Sequence, residues 1–297
     1  MKLLTEVEIG RGFIPFGYGD KILVVGSCFA DEAGTRMANA GLDVCVNPFG
    51  TLYNPVSVCN SLQRLASGVP FSADECVEMG AGASLVCSFS HHTSFARPTA
   101  EEFLKVANES FASASAFFKD CGLVIITLGT SWCYKFTRTG EIVSNCLKID
   151  GKDFERERLT SDGTFSLLSR LVGRFSKGTE SIAPKKFIFT VSPIRHLKDG
   201  AHGNQVSKAS LLLAVDKVCE AFPEVAEYFP AYEIMMDELR DYRFYAEDMV
   251  HPTSQAADYI WERFQDFALR DGDRERLLEN EKAFRRSLHR PIHQTKP

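Results

Sequence analysis

The segment KILVVGSCFADEAG, Lys21 to Gly34, breaks an apolar run at Gly26 into two adjacent side chains able to act as nucleophiles, Ser27 and Cys28. A helix-forming pattern follows at once. A nucleophile at a strand-to-helix turn gains twice: the turn exposes it, and the free N–H groups and positive end of the helix stabilise an anion there. For a thiol this raises the thiolate fraction, and for a serine the same amides form half of an oxyanion hole. The plainer reading is a tight corner in which Gly26 turns the chain, Ser27 caps the helix and Cys28 packs inward. Far along the chain, AEDMVHPTS places two residues between Asp248 and His251, ahead of an amphipathic helix that Pro252, Thr253 and Ser254 open and that runs through Trp261. A carboxylate just behind a histidine can hold the imidazole's tautomer while the other ring nitrogen serves as general base. Alone, such a pair is an ordinary helix-start cluster. Joined to a nucleophile at the first strand, it looks like a triad.

The elements that must position these groups are legible as alternating runs. KILVVG, DVCVN, SLVCSF, LVIITLG and KKFIFTVSP read as buried strands. Between them lie helical patterns: one closed by Gly41, one opened by Pro55 and closed by Gly68, one from Thr99 with a capping box to Glu102, and SKASLLLAVDKVCEAF. Unbroken apolar strands alternating with helices argue a mostly parallel sheet covered on both faces. In such sheets ligands bind beyond the carboxyl ends of the strands. That rule sets Gly26–Cys28, Asn47–Gly50, Ser90–His92, Gly129–Trp132 and Ser192–His196 along one rim. Trp132 to Asn145 departs from the alternation and reads as a hairpin about Thr139-Gly140, an excursion after the fourth strand. With no repeat or low-complexity linker, one domain is expected over residues 1–297, with a charged helical tail from about 272 onward.

Composition narrows the function classes. A chain of 297 residues, 44% hydrophobic and 25% charged, lies in the ordinary globular range. The net charge of −5, without a basic block, offers no footprint for nucleic acid. Glu6 and Glu8 interrupt the N-terminus before a signal peptide's apolar region can develop. The longest apolar stretch, Cys121 to Tyr134, is too short for a bilayer span of roughly 20 residues. The expected location is therefore the cytoplasm. Nine cysteines without a CxxC pair then read as reduced thiols, mostly small buried hydrophobes. Adjacent His91 and His92 point to opposite sides of an extended segment, so no metal site is expected. Gly80 and Gly82 lack the rest of a dinucleotide fingerprint. Arg195, His196 and Lys198, after Ser192-Pro193, can meet a phosphate or carboxylate, or simply form a solvated loop. The aromatic residues Phe49, Tyr53, Trp132 and Tyr134 can line a groove, although strand-end aromatics as often pack the rim.

Over most of its length the sequence resembles the GSCFA-domain proteins, a bacterial group placed among the SGNH, or GDSL-like, hydrolases. The matching blocks are Gly26-Ser-Cys-Phe-Ala30, NPFGTLYNP from Asn47 to Pro55, SHHTSF, ITLGTSWCY, VSNCLK, VSPIRHLKDG and YFPAYEIMMDELRDYRFYAEDMVHP. The resemblance implies a three-layer α/β/α, flavodoxin-like domain. Its first block places the nucleophile two residues after the glycine, on Cys28, with Ser27 in the usual Asp position. Its last block falls on Asp248 and His251, and its second-block glycine is best matched by Gly50. The third block becomes Gly129-Thr-Ser-Trp132, so the asparagine that normally donates to the oxyanion is absent. Ser131 or Asn47 is the expected substitute. His91, His92, Trp132, Arg195 and His196 are the expected substrate contacts.

These departures open acyl transfer beside hydrolysis, since a thioester shielded from water passes its acyl group to another acceptor. The expectation is acyl-ester chemistry on a carbohydrate or cell-envelope substrate, through a Cys28 or Ser27, His251, Asp248 triad. No cofactor is required, and acyl-CoA is a possible acyl donor. A catalytically degenerate carbohydrate-binding protein on the same scaffold is the alternative. A redox-sensing thiol at Cys28 is a third reading, without a resolving cysteine nearby. The sequence carries no signal for oligomeric state.

Overall fold

Alternating side chains along Lys21–Gly26 send Ile22 and Val24 into one core and Leu23 and Val25 into another, on opposite faces of the sheet. This first strand, β1, sets the plan of the computed structural model, which describes residues 5–288. In chain order follow α1 (Cys28–Asn39), β2 (Asp43–Val46), α2 (Pro55–Ser67), β3 (Val77–Glu78), β4 (Val86–Cys87), α3 (Ala100–Asp120) and β5 (Leu123–Leu128). Then come β6 (Trp132–Phe136), β7 (Ile142–Val143), β8 (Phe154–Arg158), α4 (Ser161–Phe175), β9 (Lys186–Val191) and α5 (Gly200–Ala221). The chain closes with β10 (Ala226–Tyr228), the short α6 (Ala231–Glu233), α7 (Ser254–Ala268) and α8 (Arg274–Leu288).

The main sheet has five strands in the order β2-β1-β5-β9-β10, every pairing parallel. Counted within the sheet this is 2-1-3-4-5, the flavodoxin-like doubly wound order, with its switch point between β1 and β5. One face carries α2, α3, α4 and α5, the other α1, the turn around α6, α7 and Leu277 of α8. The three-layer α/β/α architecture expected from the sequence is thus present.

One detail differs. SLVCSF supplies only Val86 and Cys87 as a strand, and these pair with Val77 and Glu78 in a separate two-stranded ribbon. The hairpin therefore follows the third strand of the main sheet, not the fourth. Ser84, at φ 43°, and the left-handed Ala81 and Gly82 just before it bend the backbone too sharply for a longer strand to extend N-terminally. The hairpin itself, β6 with β7, gains β8 as a third antiparallel strand on the other side of β6.

Helix ends follow the local chemistry. Asn54 caps α2 at the Ser57 N–H, and Gly68 ends it in the left-handed region at φ 69°. Thr99 accepts from the Glu102 N–H at the start of α3, and Thr253 caps α7. Arg274–Leu288 covers the start of the expected charged tail as α8; the remainder of that tail lies outside the described residues. Among the described residues no helix is long and apolar enough to cross a membrane.

Candidate active site

The turn after β1 requires glycine. Gly26 sits at φ 140°, and a Cβ there would lie 2.0 Å from the Thr127 carbonyl oxygen of β5. The close approach lets the Ser27 N–H donate to that same carbonyl at 3.1 Å. Ser27 then spends its hydroxyl as the helix cap, accepting from the Phe29 N–H at 3.3 Å, and is almost completely buried. Cys28, the next residue, opens α1 half-buried on the wall of a cavity of about 420 Å³. Its sulfur is 3.3 Å from the Tyr53 hydroxyl, which accepts from Thr51 Oγ1 at 3.3 Å. Burial, with the Cys28 contact second, pushes Tyr53 up to about 12, so the phenol keeps its proton and can donate to sulfur.

His251 lines the same cavity from the loop before α7. Its Nδ1 is 2.6 Å from Asp248 Oδ2, while Asp248 Oδ1 accepts the Val250 and His251 N–H groups, both at 2.9 Å. The His251 and Val250 amides, followed by the imidazole, hold the Asp248 carboxyl down at about 2. An ionised carboxylate can only accept, so Nδ1 carries the proton and Nε2 is left with its lone pair. Met249, at φ 58°, makes the turn that folds Asp248 back onto the ring.

The floor is tied together beneath these groups. Tyr53 O accepts from the Gly129 and Thr130 N–H groups, both at 2.9 Å, linking the loop after β2 to the end of β5. Fully buried Lys208 of α5 donates to Gly129 O at 2.7 Å and Ser192 O at 2.6 Å, clamping the ends of β5 and β9. Burial pushes this ammonium down to about 7. His196, edge-on to Tyr53 at 6.0 Å, is held down at about 4, by burial first and then the charge of Lys208. It is a neutral imidazole at physiological pH. The opposite wall is Trp132 and Tyr134 of β6, with the Arg156 guanidinium stacked 4.4 Å from the Trp132 ring and paired with Asp199.

The structure therefore gathers Cys28, His251, Trp132, Arg195 and His196 around one cavity, with Ser27 at its edge and Asp248 behind His251. The expected oxyanion residues are engaged elsewhere. Gly50 N–H donates to Asn47 O at 2.7 Å. Asn47 receives the Gly26 N–H and donates to Asp31, and Ser131 is fully buried with its hydroxyl on Ser207. None of the three borders the cavity. His91 and His92 also lie off it. His91 is fully buried among Phe49, Phe71, Phe95 and Phe103, where burial drives it down to about 3 and Ser88 takes its Nδ1. An apolar cage favours the neutral ring, which makes His91 a core residue. His92 caps a short turn at Ser94 and packs its Cβ where a Gly50 side chain would be.

Residues 21–264, most of the chain, match the profile of the GSCFA family. The chain belongs to the GSCFA family. No curated protein matches this GSCFA chain. Two solved structures resemble it, both mutants of Axe2 and described as an acetyl-xylooligosaccharide esterase and an acetylxylan esterase from Geobacillus stearothermophilus. Each is 13% identical, with a TM-score of 0.38 over 85% of this chain and 95% of its own.

Two residues that shape the cavity, Arg156 on its wall and Lys208 beneath it, have no reading from the sequence, and Tyr53 was expected only as a groove-lining aromatic. Lys208 had a signal: it lies three residues before Leu211 and seven before Val215 on the buried stripe of α5, where a lysine needs a special partner.

Proposed function

We propose that this GSCFA protein is an SGNH-type acyl-ester enzyme that forms a thioester on Cys28. The observation that carries the reading is the Asp248–His251 pair at 2.6 Å, placed on the same cavity as the Cys28 sulfur. The doubly wound sheet, with its nucleophile at the switch point and its histidine after the last sheet strand, supports the superfamily placement. In this reading His251 Nε2 takes the thiol proton as Sγ attacks the ester carbonyl. Collapse of the tetrahedral species breaks the C–O bond, and His251 returns the proton to the leaving alkoxide. Water or an acceptor hydroxyl then attacks the thioester, His251 takes its proton, the C–S bond breaks and sulfur is reprotonated.

With Gly50, Ser131 and Asn47 off the cavity, the oxyanion is left with the helix-start amide expected from the sequence and needs other partners for it. The Cys28 N–H belongs to the first turn of α1, whose amides have no intrahelical acceptor, and Tyr53, whose hydroxyl touches the Cys28 sulfur, and His196, whose Nε2 is unpaired, line the same cavity. The Trp132 and Tyr134 wall suits the face of a sugar ring, which supports a carbohydrate as the ester's carrier.

The test is intact-protein mass spectrometry after incubation with p-nitrophenyl acetate. An acetyl adduct is expected in the wild type and in Ser27→Ala, and in neither Cys28→Ala nor His251→Ala. An adduct that survives Cys28→Ala and disappears in Ser27→Ala overturns the assignment of the nucleophile. A second reading, a saccharide-binding protein on a degenerate scaffold, is favoured by the engagement of Gly50, Ser131 and Asn47 in the fold. Saccharide binding without any adduct, unchanged in His251→Ala, would establish it.

A further inference from the structure

Charge is distributed unevenly around the cavity. The whole chain carries −5, yet the ionised residues lining this pocket are Arg156, Arg195 and Lys198 against the single carboxylate of Asp199. Asp199, whose side chain is only 4% exposed, is already taken by Arg156. That pair is internally neutral, and stacking on Trp132 fixes its orientation. Arg195 and Lys198 are left over, and neither has a carboxylate partner among the described residues.

Arg195 is also short of hydrogen bonds. Its Nε is buried without an acceptor, and the contact recorded for its guanidinium is to the Met236 sulfur at 3.8 Å, a weak acceptor. Buried donors in folded proteins are normally paired, so an unsatisfied guanidinium marks a site awaiting a partner. Two further unpaired buried nitrogens, Trp132 Nε1 and His196 Nε2, belong to residues lining the same cavity. Indole and guanidinium nitrogens can only donate, so the partner must be rich in acceptor oxygens. Arg195 lines the same cavity as His251, and its main-chain N–H donates to Val250 O at 3.4 Å, one residue before that histidine.

We infer that Arg195 and Lys198 form a subsite for an oxyanion, a carboxylate or a phosphate, carried by the substrate close to its acyl ester. The inference rests on the cavity being the substrate site proposed above. A planar guanidinium that offers paired N–H groups matches either anion, and Lys198 adds a point charge at the outer edge of the pocket. Low-dielectric walls concentrate this field within the cleft, so a net-negative protein can still draw in an anionic ester. Two sources share the chemistry: an acidic sugar, or a phosphorylated sugar or acyl donor.

Isothermal titration calorimetry with glucuronate, glucose 1-phosphate and glucose separates them, using the wild type, Arg195→Met and Lys198→Met. Methionine keeps the stem of either side chain and removes the charge. At least one anion is expected to bind the wild type about tenfold or more tightly than glucose, and each variant to lose most of that preference. The tighter of the two anions identifies the source. Equal binding of all three sugars, or no binding, overturns the subsite, and so does an anion preference retained in both variants. Acetylation by p-nitrophenyl acetate, measured on the same samples, keeps the two readings apart. An adduct without anion preference removes the subsite and leaves the thioester chemistry, whereas anion preference without an adduct does the reverse.

Discussion

The Tyr53 hydroxyl stands between two groups, 3.3 Å from the Cys28 sulfur and 3.3 Å from the Thr51 hydroxyl that donates to it. With Thr51 donating to its oxygen, the phenol proton is available to sulfur. A donor aimed at a thiolate stabilises the charged form. Tyr53→Phe is therefore expected to slow alkylation of Cys28 by iodoacetamide at neutral pH by about fivefold, the worth of one ordinary hydrogen bond. An unchanged rate, read by peptide mass spectrometry, would make Tyr53 a packing residue only.

Asp248→Asn removes the charge that orients His251 and puts an amide where the imidazole needs an acceptor. Acyl transfer from p-nitrophenyl acetate is expected to fall about 10³-fold with the circular dichroism spectrum unchanged. A loss of less than about tenfold would place the general base elsewhere.

His91 makes stability depend on pH. Its folded value of about 3 lies below the unfolded value of about 6.5. Above pH 6.5 the ring is neutral in both states and contributes no dependence. As pH falls toward 3 the unfolded chain takes up the proton first, so stability drops by up to ~1.4 kcal/mol per pH unit from this group. His91→Phe keeps an aromatic ring among Phe49, Phe71, Phe95 and Phe103 and is expected to flatten that decline by about one proton. Urea melts at pH 7 and pH 5 measure it, and parallel declines in the two proteins would refute it.

Lys208→Met leaves the Gly129 and Ser192 carbonyls without their buried donor. A loss of ~2–4 kcal/mol in chemical denaturation is expected. Because burial holds the folded ammonium at about 7, below its unfolded value, the unfolded state binds more protons between pH 7 and about 10. The wild type is thus expected to gain stability from pH 7 to 9 relative to the variant. A constant difference across that range would show that Lys208 stays charged in the fold.

The sheet was legible because its strands are buried on both faces and read as unbroken apolar runs: KILVVG, LVIITL and KFIFTV are all strands in register. β8 escaped notice because FERER is mostly exposed and charged, paired on one side only to the hairpin, so no apolar period announces it. The placement of Cys28 and His251 on one cavity, with Asp248 behind the ring, was readable because it depends on position within a turn, which local sequence dictates. Asn47, Gly50 and Ser131 were misplaced because an amide or hydroxyl type does not reveal which partner claims it. Gly26 N–H, Asn47 O and Ser207 lie close enough in the fold to take them first. His91 shows the same limit: of the four phenylalanine rings that cage it only Phe95 is a near neighbour in sequence, and the fold brings Phe49, Phe71 and Phe103 to it.

The three-stranded sheet of β6, β7 and β8 shares no ladder with the parallel sheet, although it supplies Trp132, Tyr134 and Arg156 to the cavity wall. Cys28 and His251 stand instead on turns fixed by the parallel sheet and its helices. On the function proposed above, this wall is a cassette whose length and composition can change while Cys28 and His251 keep their frame. What such a site recognises could then be exchanged without rebuilding how it is transformed.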